Sequence, residues 1–289
     1  MKRILVVADA GRDQGTIQQA VEMATRLKAK LDIVGFVYEH LQGLPIDLHD
    51  SSLDSARQKL IASHKKELRA ALKAAGGKRS TGVEVHWEKR VAERVASLAE
   101  DGVYDLVIKG GHRSETAFYT PTDWQLLRLC KVPVLLLAKK RWKKSQHVLA
   151  AVDLGTRVAS KRALNFDIVA AAHFFAQALG AELHVTYAIP FSTVLHDLDL
   201  IDRNTLRRKG QARAKAFTKK LADNGIEVTK MHVVTGEPEK TLINVAAKNG
   251  AGVVVLGCIG RKKFAGRVLG NTAEKILRLL KANVLAIKP

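Results

Sequence analysis

The sequence predicts an α/β protein made of two tandem domains, each a five-stranded, doubly wound, Rossmann-like parallel sheet with helices on both faces. Three observations carry this. Short β-branched runs alternate with amphipathic helical stretches, the whole series occurs twice, and the strands ILVVA, LVIK, VLLLA, VVVL and VLAI are apolar almost throughout. Strands joined through helical crossovers lie parallel, and parallel strands covered on both faces lose the polar alternation of a half-exposed sheet. The 289 residues also exceed one compact domain of ~100–200 residues, and 47% hydrophobic residues can fill two cores.

The first series opens with the strand RILVVAD, Arg3 to Asp9, followed by TIQQAVEMATRLKA, whose apolar residues recur three and four apart as a helix requires. KLDIVGFVY is a second strand. A loop through Pro45 leads to a helix from about Asp54 to Ala75, then the strand GVEVHWE and the helix VAERVASLAEDG. YDLVIKG, a loop, the helix DWQLLRLC and the strand PVLLLAK close the first half. The second half runs HVLAAVD, a helix from about Ser160 to Leu179, AELHVTYAI, a loop through Pro190 and a helix from about Asp202 to Asp223. GIEVTKMHVV, PEKTLINVAAKNG, GVVVLG, a glycine-rich loop, NTAEKILRLLK and NVLAIKP complete it. The expected domains are 1–140 and 147–289, joined by a basic linker at 141–146. The basic segment KKRWKKSQ is too short for a flexible spacer, so the halves are expected to pair like a covalently joined homodimer; a homodimer of whole chains is the other assembly open to such a repeat.

Bulk properties narrow the setting. The longest apolar runs fall far short of the ~20 residues of a membrane span, and the amino terminus passes directly from an apolar strand into charged residues. Two scattered cysteines, Cys130 and Cys258, make neither a disulfide framework nor a zinc site, which fits a reducing cytoplasm. The net charge of +20 favours non-specific attraction of anions, nucleic acid included, although basic residues spread along helices are ordinarily solvated faces.

The stretch VVVLGCIGRKKFAGRVLGNTAEKI, Val253 to Ile276, places Gly257, Gly260 and Gly270 at the spacing G-x2-G-x9-G. A glycine after a strand is ordinary turn chemistry, but the location adds to it. With strand order 3-2-1-4-5 in each half, the order reverses between the first and fourth strands, where ligands of open parallel sheets sit. That sets Asp153 beside Gly257. Gly257 and Gly260 would let a backbone approach an anion, Gly270, Asn271 and Thr272 would aim a helix start at it, and Arg261, Lys262, Lys263 and Arg267 would add positive charge.

These residues carry a family resemblance. The strand ending in Asp153, the run VVVLGCIGRKKFAGRVLGNTAEKI, the closing VLAIKP and, in the first half, TPTDW from Thr120 to Trp124 resemble the universal stress protein family, in particular its tandem E-type members. The resemblance implies a five-stranded parallel unit, ATP or another adenine nucleotide on the glycine loop with or without magnesium, an Asp after the first strand near base and ribose, and a cytoplasmic part in stress tolerance. Asn271 stands where the family's nucleotide binders carry Ser or Thr, and its amide can still donate.

Each of these residues also has a plain structural reading. Asp153 could serve as a turn or helix cap, and Asp9, its counterpart, is expected to be structural. Cys258 reads as a small residue filling a turn, with an acidified thiol as the other possibility. His112 reads as a solvated loop histidine; Asp197, Asp199 and Asp202 read as capping or solvated residues rather than metal ligands. The sequence has no nucleophile elbow, zincin helix, Walker loop or Cys-x-x-Cys. The expected activity is therefore that of a nucleotide binder and regulator, with a slow ATPase or adenylating enzyme, or a binder of another anionic or amphipathic small molecule or of nucleic acid, as alternatives. One site per chain is expected. In the first half Gly110 aligns with Gly257, but Arg113 replaces Gly260 and Thr120-Pro121-Thr122 replaces Gly270-Asn271-Thr272, over an interval three residues shorter.

Overall fold

A computed structural model describes residues 1–8, 14–40, 50–100, 102–110, 122–138, 142–143, 146–258, 261–262, 267–268, 275–277 and 279–289. The chain divides into two compact units, Met1–Lys139 and Lys140–Pro289. The basic segment between the sheets thus falls almost wholly in the second unit, where the Trp142 ring packs on Gly252.

The first unit runs β1 (Arg3–Val7), α1 (Gln14–Arg26), β2 (Lys30–Val37), α2 (Asp50–Ala74), β3 (Gly82–Trp87), α3 (Val91–Glu100), β4 (Leu106–Gly110), α4 (Thr122–Leu129) and β5 (Val134–Leu137). Its sheet order is β3-β2-β1-β4-β5, all parallel. The second unit repeats this with β6 (His147–Val152), α5 (Ala159–Leu179), β7 (Leu183–Ile189), α6 (Thr193–Asp197), α7 (Arg203–Ala222), β8 (Lys230–Thr235), α8 (Pro238–Asn249), β9 (Ala251–Gly257) and β12 (Asn283–Ile287), in the order β8-β7-β6-β9-β12. Residues 275–277 and 279, before β12, are helical. Two additions separate it from the sequence reading. The stretch after β9, expected as loop alone, contains a two-stranded antiparallel ribbon, β10 (Arg261–Lys262) and β11 (Arg267–Val268). The segment before α7 holds the short helix α6, started by the Ser192 hydroxyl accepting from the Leu195 N–H.

The local signals explain the boundaries. Asp202 caps α7 by accepting from the Thr205 N–H at 2.6 Å, and Pro238 at the first turn and the left-handed Gly250 (φ 71°) bracket α8. The central strands are buried on both sides, with Ile4, Val6, Leu106, Val107, Val148, Leu149, Val253 and Val255 at or near zero exposure. Because crossovers are right-handed, helices before and after the reversal of strand order lie on opposite faces. α5 covers the face that includes Gly257: a Cβ built there would lie 2.6 Å from Leu164 Cδ2 and 3.1 Å from Ile168 Cδ1.

The two sheets solve one position differently. At the amino ends of the strands, Leu5 pairs with Asp32 in the first unit and Leu149 with His184 in the second. Asp32 forms an ion pair with Arg3 and accepts from the Tyr104 hydroxyl and the Gly82 N–H. Its counterpart His184 stacks on His147 with ring centroids 3.9 Å apart, accepts or donates across 3.3 Å to His232, and lies 3.3 Å from Glu182. Burial, reinforced by His184 and His232 and by Lys230 against the weaker pull of Glu182, depresses His147 from 6.5 to about 4. Burial likewise lowers His232, with His184 and Lys230 adding to it.

A histidine depressed in the folded state binds its proton more readily when unfolded, so stability falls as pH drops through the unfolded value of 6.5 and stops falling near 4. Thermal melts of the full chain should therefore lose stability between pH 7 and pH 5, on the order of 2 kcal/mol from this residue. His147→Phe, which keeps a stacking ring but cannot be charged, should flatten that dependence; an unchanged slope would assign it elsewhere. Packing of α5 supplies a second expectation. Gly257→Ala should destabilise the chain by about 1–3 kcal/mol through overpacking, and combining it with Leu164→Ala should cost less than the sum of the two single changes in denaturant titrations. Strict additivity would show that Leu164 does not meet position 257.

Candidate functional site

The crevice at the reversal of strand order is built from β6 and β9. These strands pair in parallel, Ala150 opposite Val255, so Asp153, directly after β6, and Gly257, the last residue of β9, end side by side. Asp153 is exposed, and its backbone is locked from below: the buried Asn165 of α5 accepts from the Asp153 N–H at 2.9 Å and donates to its carbonyl at 2.8 Å. One carboxylate oxygen of Asp153 accepts from the Gly155 N–H at 3.1 Å, so the turn role is real. The same turn keeps the exposed carboxylate beyond the carboxyl end of β6.

Two residues that sequence reasoning passed over complete this end of the sheet. Tyr187, opposite Val152 and 1% exposed, brings its hydroxyl up beside Gly155, and Arg213 of α7 reaches the same spot, its Nη1 donating to that hydroxyl at 3.5 Å. A Cβ at Gly155 would lie 2.9 Å from the Tyr187 hydroxyl and 3.6 Å from the Arg213 guanidinium. Arg213 was one of many basic residues on a strongly basic helix, with no signal setting it apart; only the fold selects it. Asn165 did leave a signal, a lone amide among Leu164, Ile168 and Val169. Helix α5 starts after Val158 without any side-chain cap, leaving first-turn N–H groups of the kind that anions satisfy.

The remaining expected site residues are placed as follows. Arg261 begins β10, across from Val268. Gly260, Gly270, Asn271 and Thr272 lie outside the described residues, as do Lys263, Asp9 and His112. Gly257 faces Leu164 and Ile168, so its missing Cβ admits α5 against the sheet, the packing role that a glycine near a nucleotide turn often has. Cys258 is 2% exposed, and burial pushes its thiol up to about 12; a thiolate at neutral pH is thereby disfavoured, and the residue fills the turn. Asp202 caps α7, Asp197 ends α6, and Asp199 takes a left-handed backbone at φ 53°.

In the first unit the equivalent place holds an internal ion pair. Lys109 Nζ lies 3.1 Å from Asp123 Oδ1, both side chains only 5–6% exposed, and also donates to the Gly110 carbonyl at 3.2 Å. Asp123 sits in the first turn of α4, where a negative charge meets the positive end of the helix dipole. Aligned through Gly110 with Gly257 on the strand and through Thr120 with Gly270 at the helix start, the second half has Leu256 and Ala273 at these two positions. Arg113, Thr120 and Pro121 lie outside the described residues. Among the described residues no helix is long and apolar enough to cross a membrane.

Comparison with known proteins agrees with this architecture. The model of the universal stress protein family matches residues 1–138 and again residues 144–288. The universal stress protein E homolog of Haemophilus influenzae is 29% identical over all of this chain and 97% of its own length, and universal stress protein E of Escherichia coli is 30% identical over all of this chain and 94% of its own. Among solved structures, a Pseudomonas aeruginosa PAO1 protein of unknown function shares the fold at a TM-score of 0.68 and 24% identity, covering 100% of this chain and 93% of that one. A universal stress protein from Archaeoglobus fulgidus does so at 0.66 and 18%, covering 99% and 98%. With one family model matched twice across nearly the whole sequence and a full-length relative at 30% identity, the chain belongs to the universal stress protein family.

Proposed function

We propose that the second unit binds ATP or a related adenine nucleotide in the crevice between β6 and β9, and that occupancy alters which partners the chain engages under stress. The observation that carries this reading is the meeting of Asp153, the uncapped start of α5 and Arg213 at one reversal of strand order. Each has a chemical task there. The Asp153 carboxylate can accept from ribose hydroxyls, Arg213 can pair with a phosphate, and the backbone N–H groups of a glycine loop through Gly260, Gly270, Asn271 and Thr272, with Arg261 nearby, can surround the remaining phosphate oxygens. The stress role is supported by the full-length relatives named universal stress protein E. The protein acts in this reading as a binder and regulator rather than a fast enzyme.

The first unit serves as a ligand-free partner domain. Its buried Lys109–Asp123 pair supplies from within the charges that a phosphate and its counter-cation would bring. Calorimetric titration of the full chain with ATP and with adenosine tests both parts. The expected stoichiometry is about one nucleotide per chain. Arg213→Ala should weaken ATP roughly tenfold or more, the cost of a charge-assisted hydrogen bond, and leave adenosine nearly unchanged. Two equivalent sites, no binding, or equal weakening of both ligands would reject the assignment.

A further inference from the structure

The outer edge of the second unit's sheet carries a feature separate from the crevice. β8 is the last strand in the order, paired through six regular positions with β7 and with no other described strand. Its far side presents main-chain N–H and C=O groups to solvent, a template that proteins usually blunt with proline, a bulge or inward-facing charge. β8 reads KMHVVT, with no proline and no shift of register, and Lys230 at its start is its one permanent charge. Beside it, α7 and β8 enclose an open groove. Met231 and Val233 form the floor, and Arg207, Gln211, Lys215 and Thr218 of α7 form the wall. From Arg203 to Ala222 the helix holds eight Lys and Arg and no Asp or Glu.

We propose that this edge and groove dock an extended acidic peptide of a partner protein, which adds as a strand to β8 and directs alternate side chains toward α7. Strand addition satisfies the open backbone edge, and the groove reads the side chains. The spacing matches: Arg207 and Lys215, eight residues apart on a helix, stand ~12 Å apart along its axis, and positions i and i+4 of a strand span ~13 Å. An acid, a small apolar residue over Met231 and Val233, and a second acid would therefore fit in sequence. A second copy of this chain is disfavoured because it would bring an equally basic helix to the same edge. Nucleic acid is disfavoured because the groove has no aromatic ring on which a base could stack and its backbone edge offers strand pairing that a sugar-phosphate chain does not use.

The test uses the full-length protein and a fluorescent decapeptide in which Glu and Val take turns at every second position with Ser between them, so that one face reads Glu, Val, Glu, with binding read by anisotropy at low and physiological salt. Arg207→Glu combined with Lys215→Glu should lower affinity tenfold or more, whereas the same reversal at Lys66 and Arg69 in the first unit should have little effect. Methylating the peptide's alternate backbone nitrogens along one edge should abolish binding, and along the other edge should not. If both methylated peptides bind like the parent, the attraction is charge alone and the proposal fails. It also fails if reversals in the two units weaken binding equally, or if a single-stranded oligonucleotide binds more tightly than the peptide and is lost with the same groove reversal.

Discussion

Everything at the candidate site depends on the reversal of strand order between the first and fourth strands of each repeat. Right-handed crossovers send α5 and α7 to one face of the second sheet and α8 to the other, so β6 and β9 end side by side where the helices part to opposite faces. A crevice is what remains. Its walls are whatever residues follow those two strands, and its floor is the packed sheet beneath. The same constraint makes Gly257 a packing residue: α5 must lie close enough to β9 to hold Asn165 under Asp153, and a side chain at 257 would push it away. Packing of the helix and aim of the carboxylate are therefore one requirement.

The duplication shows how far the residues at fixed scaffold positions can change while the scaffold holds. Arg3 and Asp32 form an ion pair where the second unit stacks His147 on His184. Both solve the problem of polar groups at the amino ends of buried strands, the first with opposite charges and the second with stacked rings. At the other end of the strands, the first unit buries Lys109 against Asp123 where the second has Leu256 and Ala273. A buried pair of this kind is costly to break because either partner alone would be an uncompensated charge. It ties the carboxyl end of β4 to the first turn of α4.

Much of this was legible in the sequence, for physical reasons that differ by element. The central strands of the two parallel sheets were readable because burial on both faces makes each a short apolar run, the edge strands GVEVHW and KMHVVT by their β-branched residues between helices, and the repeat of the series doubled the signal. The neighbourhood of Asp153 and Gly257 followed from strand order alone. What could not be read were features made by long-range packing. The Lys109–Asp123 pair hides in LVIK and TDW, two segments whose charges look like ordinary surface residues until the fold buries them together. Arg213 is one cation among eight on α7, and only its register above Tyr187 distinguishes it. The ribbon of β10 and β11 is two residues per strand, too short for any period to show.

The distribution of charge along the second unit ties these observations together. α7 packs a narrow stripe, Gly210, Ala214 and Leu221, and Gly210 lies against Ile189 and Val233 so closely that the helix axis must approach the sheet. A helix held by so small an apolar stripe leaves most of its circumference to solvent, and on α7 every charge on that circumference is positive. Arg213 is turned inward along the sheet toward the crevice, while Arg207 and Lys215 line the groove at the edge strand. One helix thus projects positive charge at two places, over Tyr187 of β7 and beside Met231 and Val233 of β8. The close approach that Gly210 permits sets both, since a larger residue there would lift the arginine from Tyr187 and open the groove from β8 together. The basic composition, which taken as a bulk property suggests only generic anion attraction, acquires direction through that single contact between helix and sheet.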